Sequence, residues 1–161
     1  MKSYPEAILS ALTLLLLIMM PLRPALSHCQ VPCGIYDDQM RFDMVSEHIA
    51  TIEKSMNSIL ALEQETPVNY NQIVRWVNNR DYHADQIADV VSYYFLAQRI
   101  KPADKKNAVA LLDYKNKLMI LHEMLVYAMK AKQTTDLANV EKLRSLWNEF
   151  HELYFGPEHE H

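Results

Sequence analysis

The feature that most constrains this chain is a set of apolar stripes, each spaced to lie along one face of a helix. Val45, Ile49, Ile52, Met56 and Ile59 recur four and three residues apart, the period of a helix face rather than of a strand. Ile73, Val77, Arg80, Ala84, Ile87, Val91 and Tyr94 repeat that spacing after a break at Pro67 and Asn69. A third stripe runs through Leu111, Leu118, Leu121, Leu125 and Ala128, starting near Pro102-Ala103-Asp104, where proline suits a first helical turn. A fourth follows Thr135 and Asp136, good capping types, through Val140, Leu143, Trp147, Phe150 and Tyr154. Only two of the 161 residues are glycine, which argues against a turn-rich β fold or a phosphate-cradling loop. The expectation is an all-α chain: an antiparallel up-and-down four-helix bundle over residues 42–155 with a frayed polar tail at 156–161.

Charge removes one class of function. The net charge is -4 and no cluster of Lys and Arg stands out, so nucleic-acid binding has no electrostatic footprint. One charged residue sits on an apolar stripe. Arg80 takes an inward position of the second helix, which fits either a side chain reaching outward near a bundle end or a buried cation paired with a carboxylate. His48, His83, His122 and His151 share no i,i+4 partner and read as helix-surface or core-edge residues.

Residues 1–27 read as a cleaved leader. Lys2 supplies a short charged start, and Ala7 to Met20 is almost unbroken apolar sequence. That run is shorter than the roughly 20 residues of a membrane span and ends at Pro21 and Pro24. Ala25-Leu26-Ser27 places small residues where a signal peptidase reads them, so cleavage is expected between Ser27 and His28. An uncleaved anchor is the alternative; Arg23 lies just beyond the apolar run, where positive charge slows export. The cleaved chain would be exported, to a periplasm, the exterior or an organelle lumen, with no stable membrane anchor. Removing the leader takes out Lys2, Arg23 and Glu6 and leaves a charge of about -5.

The remaining segment, residues 28–41, is the least helix-like part of the processed chain and carries both cysteines. Cys29 and Cys33 in an exported chain suggest a disulfide by default. Processing opens a second reading. A freed His28 would place an α-amine, an imidazole, the Cys29 amide nitrogen and the Cys29 thiolate within two residues. Amine and amide close one five-membered chelate ring; amide nitrogen and sulfur close another. Cys33, brought round by a turn at Pro32, supplies a fourth in-plane donor, with the imidazole on the axial side. Two nitrogens and two sulfurs in a plane suit Ni(II) or Cu(II) rather than Mg or Ca.

The run His28-Cys29-Gln30-Val31-Pro32-Cys33-Gly34-Ile35-Tyr36-Asp37 closely resembles the hook motif of nickel superoxide dismutases, His-Cys-x-x-Pro-Cys-Gly-x-Tyr. The resemblance is strong in the hook and looser through residue 155. It implies an enzyme that converts superoxide to dioxygen and hydrogen peroxide by Ni(II)/Ni(III) cycling. One nickel ion per subunit would be held by the His28 amine and imidazole, the Cys29 amide and thiolate, and the Cys33 thiolate. Thiolates and a deprotonated amide are strong anionic donors and favour the higher oxidation state.

The resemblance also assigns roles around the metal. Pro32 would be the turn proline, in its cis form, and Gly34 would let the backbone close up behind the site. Tyr36 would stand over the open face of the nickel, gating access and ordering water. A second site tyrosine maps to Tyr94, on the inward stripe, in preference to Tyr93. Aligning Arg41-Phe42-Asp43 with the family's Arg-Ile-Glu makes Asp43 a partner of the axial imidazole, with Arg80 beside it. Here the loop before Arg41 is one residue shorter than the family pattern, and Asp is shorter than Glu. A homohexamer and a leader-processing peptidase are further implications; Trp76, Tyr93 and Phe95 are candidates for hydrophobic surface beyond what one bundle buries. Two other functions compete: an exported nickel- or copper-binding bundle without turnover, and a bundle with a Cys29–Cys33 disulfide and a structural role.

Overall fold

The structure, a computed structural model, describes residues 38–156. The expected leader, its Ser27-His28 bond, the hook residues His28, Cys29, Pro32, Cys33, Gly34 and Tyr36, and the tail beyond Gly156 lie outside those residues.

Four helices are described: α1 (Asp38–Leu62), α2 (Tyr70–Asp89), α3 (Ala108–Gln133) and α4 (Ala138–Phe155). A ten-residue π-helical stretch, Val90–Arg99, continues α2 without a break. α1 begins at Asp38, four residues before the expected start of the bundle. Asn69 caps α2 by accepting from the Gln72 amide at 3.2 Å. α3 starts later than Pro102 suggests, because Asn107 takes the capping role and accepts from the Ala110 amide at 3.0 Å. Before α4, Asp136 accepts from the Ala138 amide at 3.0 Å.

The helices alternate in direction. The start of α1 meets the end of the π segment (Asp38 with Arg99) while its far half meets the middle of α2, twenty residues earlier (Ser55 with Asn79). The start of α1 also meets the end of α4, where Tyr154 reaches Asp38. Asp85 of α2 pairs with Lys132 near the end of α3, and Lys142 of α4 with Glu123 of α3. This is the up-and-down bundle expected from the stripes.

The core follows two of those stripes residue by residue. Val45, Ile49, Ile52, Met56 and Ile59 of α1 are all buried, as are Val140, Leu143, Trp147 and Phe150 of α4. Burying each such side chain stabilises the fold by roughly 1.5–3 kcal/mol. At the start of α1, Phe42 is the hub of an aromatic cluster. It stacks on Trp147 (centroids 4.5 Å apart) and meets Phe95 edge-on at 5.2 Å. The Trp147 indole N–H donates to the Phe42 carbonyl at 3.1 Å, tying α4 to α1 inside the core. Phe95, expected as surplus surface, is fully buried in this cluster.

α3 departs from its expected stripe. Ile120, Leu121, Met124, Ala128 and Ala131 face the core, whereas Leu111, Leu118 and Leu125 are only partly covered. Its outer face is apolar too: Val109, Leu112, Met119, Val126 and Met129 are exposed. A helix apolar all round gives no single periodic signal.

Candidate metal centre and the adjoining end of the bundle

The segment carrying the candidate metal ligands enters the bundle at Asp38, the first residue of α1. A carboxylate there is favoured by the helix dipole. Three side chains from two other segments converge on it. Arg99 Nε donates to Asp38 Oδ1 at 2.7 Å, and the Tyr94 hydroxyl donates to the same oxygen in a short hydrogen bond. The Tyr154 hydroxyl, from the last turn of α4, donates to Oδ2 at 2.7 Å. Arg99 Nη2 also donates to the Tyr94 hydroxyl oxygen at 2.7 Å, and its guanidinium lies over the Tyr94 ring, 4.6 Å from the centroid.

The π-helical register makes this possible. Its hydrogen bonds run from residue i to i+5, as in the Ile100 amide donating to the Phe95 carbonyl at 2.9 Å. Residues five apart therefore stack along one face, and Tyr94 and Arg99 are five apart. In an α-helix they would point to different sides.

Electrostatics follow from the geometry. Burial opposes ionisation of Asp38, but the hydrogen bonds from Tyr94, Tyr154 and Arg99, with the guanidinium charge, outweigh it and hold the carboxyl below its usual range. Burial and the adjacent carboxylate push Tyr94 upward, against the opposing pull of Arg99. Burial and the bond to Asp38 push Tyr154 up further. Both phenols are therefore neutral at ordinary pH. A second guanidinium, that of Arg41, lies 5.1 Å from the Tyr94 ring centroid. Arg41 is 9 % exposed, and its buried Nε has no hydrogen-bond partner.

The structure separates several of the expected site residues. Tyr94 is 3 % exposed and Tyr93 52 %, so the inward tyrosine is Tyr94. Among the described residues Asp43 and Arg80 do not pair with each other. Asp43 is exposed and accepts from Gln39 within α1 at 3.0 Å. Arg80 is buried at the opposite end of the bundle. It donates to the carbonyls of Lys132 (2.6 Å) and Thr134 (3.3 Å) at the end of α3 and pairs with its neighbour Asp81 at 2.9 Å. Its physical role is to satisfy helix-end carbonyls with a cation. His48 and His83, expected as unrelated histidines, meet across α1 and α2, with their Nδ1 atoms 2.9 Å apart. Asp38, Arg99 and Tyr154 are absent from the expectations. The fourth stripe names Tyr154 only as core, and no α-helical period connects Arg99 to Tyr94.

Among the described residues, no three or more His, Cys, Asp or Glu side chains are grouped to hold a metal ion, and no helix is long and apolar enough to cross a membrane.

The described architecture is a four-helix bundle with a charged, hydrogen-bonded cluster at Asp38, and the chain's only two cysteines, Cys29 and Cys33, precede that residue in the sequence. The profile of the nickel-containing superoxide dismutase family matches residues 23–157, a span that takes in that segment and every described helix, and the chain belongs to this family. It is an oxidoreductase that acts on superoxide and uses nickel. No curated protein and no solved structure matches the chain significantly.

Proposed function

We propose that the nickel of this superoxide dismutase is held by His28, Cys29 and Cys33, after processing at Ser27-His28 has freed the His28 amine. The carrying observation is membership of the family over residues 23–157, and the donor chemistry of His28, Cys29 and Cys33 supports the ligand reading. Two thiolates, an amine, an amide and an imidazole are a donor set that would suit nickel. The described bundle offers no competing cluster. Bound nickel supplies the one-electron redox couple that dismutation requires.

The chain's own residues do the rest. Cys33 lies five residues and Tyr36 two residues before Asp38. Covalent reach alone keeps them within about 18 Å and about 7 Å of it along the chain. Asp38 and Tyr94 lie at the end of the bundle where the described chain begins. By the family resemblance Pro32 and Gly34 would shape the hook, Tyr36 would control access to the nickel and order water, and Tyr94 would act with them. The guanidinium groups of Arg41 and Arg99 add positive charge at this end, which favours approach of a small anion.

Assembly into a homohexamer is supported by the exposed row Val109, Leu112, Met119, Val126 and Met129 on α3, since apolar surface in a continuous row marks an interface. The leader points to export across a membrane. The test is substitution of Cys29 or Cys33 by Ser in the processed protein. The expected result is loss of bound nickel and a fall of superoxide decay to the rate of free nickel. Retention of nickel and activity by either variant would overturn the ligand assignment.

A further inference from the structure

We propose that Asp38 is the positioning residue for Tyr94. Its carboxylate takes the phenol proton in a hydrogen bond and, by also holding Arg99 and Tyr154, fixes Tyr94 as a neutral phenol at the end of the bundle from which the hook departs. The inference rests on the reading of Tyr94 as an active-site residue.

The geometry singles out Asp38. It is the carboxylate on which the start of α1, the π segment and the end of α4 converge, accepting from Arg99 and Tyr154 at 2.7 Å each and from Tyr94. It is also the first described residue after the hook sequence, so the same backbone that anchors the cluster carries the ligand segment. The Tyr94 oxygen donates its proton to Asp38 and accepts from Arg99, which settles the direction in which the phenol proton points. A free phenol would rotate; this one is held at both the proton and a lone pair. Tyr94 is faced by Asp38 and Arg41 from α1, by Arg99 on its own segment, and by Tyr154 of α4 through the shared carboxylate. Of these only Asp38 is an anion. Without it Tyr94 would keep two guanidinium groups beside its ring, one of them bonded to its oxygen, with no anion to offset them, an environment that promotes ionisation.

A plain structural staple makes a different prediction from a positioning residue. Removal of a staple lowers stability and can move the Tyr94 titration, but leaves the pH profile of activity per folded molecule where it was. Removal of Asp38's charge, as in Asp38→Asn, makes Tyr94 ionise at lower pH. Arg99→Gln removes a cation from the same oxygen and makes it ionise at higher pH. The two signs are opposite although both variants delete an interaction.

The experiment is an alkaline spectrophotometric titration of tyrosine in the processed full-length protein, read as the difference from a Tyr94→Phe variant. It is made on nickel-loaded and nickel-free samples and paired with the pH profile of superoxide decay by the loaded protein. The expected result is a downward shift of the Tyr94 titration by about 1–3 pH units in Asp38→Asn and an upward shift in Arg99→Gln. The alkaline limb of activity should follow the same order, with partial rescue by Asp38→Glu. The titration in nickel-free protein stands even if the hook assignment fails, so the two failures are distinguishable. Should Asp38→Asn not fold, Arg99→Gln alone carries the test. An unmoved Tyr94 titration in a folded variant, shifts of the same sign in both, or an unmoved pH profile of activity per folded molecule would overturn the proposal.

Discussion

Two buried or half-buried arginines occupy opposite ends of the bundle, and they do different work. Arg80 turns its guanidinium toward backbone carbonyls at the end of α3 and pairs only with its neighbour Asp81. Arg99 turns its guanidinium toward a carboxylate and a phenol drawn from separate segments, at the end where α1 starts. The first closes a helix; the second organises titratable groups. An inward arginine is thus not by itself a sign of a site. What separates the cases is the partner: carbonyl oxygens cannot change charge, whereas Asp38 and Tyr94 can.

The largest expected effect breaks the structural end. Arg80→Ala should destabilise the fold by about 3 kcal/mol, because it leaves buried helix-end carbonyls without donors. Chemical denaturation of the variant would measure this, and the pH profile of activity per folded molecule should be unchanged. At the other end, Asp38→Ala should cost less, about 1–2 kcal/mol. That cluster is partly open to solvent, with Asp38 and Arg99 side chains 27 % and 29 % exposed, and solvent screens the pair. Its mark should instead be an altered pH profile. A drop for Asp38→Ala larger than that for Arg80→Ala would reverse the comparison.

A third prediction uses the middle of the bundle. Burial lowers the basicity of both His48 and His83, the charge of His83 lowers that of His48 further, and Glu47 pulls the other way. The folded chain thus binds protons less readily than the unfolded one, whose histidines titrate near 6.5. Stability is full above that pH and falls as the pH drops through it toward the folded values. Thermal melts at about pH 7.5 and about pH 5 should show the lower Tm in acid, with a flatter dependence in His83→Gln. The smallest effect belongs to the exposed ion pair of Arg144 with Glu53: Glu53→Gln should change stability by less than about 1 kcal/mol.

The contrast between the two arginines also marks what could be read from the residues alone. The stripes of α1 and α4 are legible because each helix has one apolar face and one polar face. α3 is not, since apolar residues surround it and the period has no phase. Arg80 stands out as a charge on a regular α-helical stripe, yet its partners are carbonyls, which leave no trace in a sequence. Arg99 does not stand out at all. Its link to Tyr94 exists only in a π register, and its link to Asp38 spans 61 residues. Tyr154 reaches the same carboxylate across 116 residues. The pairing of Asp43 with Arg80 came from matching a short motif across a loop of different length; the helix that follows puts Asp43 on an exposed turn. The hook, by contrast, is legible as chemistry, because its donors are adjacent in the chain.

The account turns on processing. In the proposed site, Cys29 and Cys33 without a free His28 amine would be two thiols able to form a disulfide; with it they would complete the nickel ligands. The most direct test is intact-mass determination of the N-terminus, with nickel content and superoxide decay measured on the same purified sample. The prediction is a chain beginning at His28 that holds nickel and is active, beside an unprocessed chain that is inactive. A nickel-loaded, fully active protein whose chain begins anywhere else would contradict it.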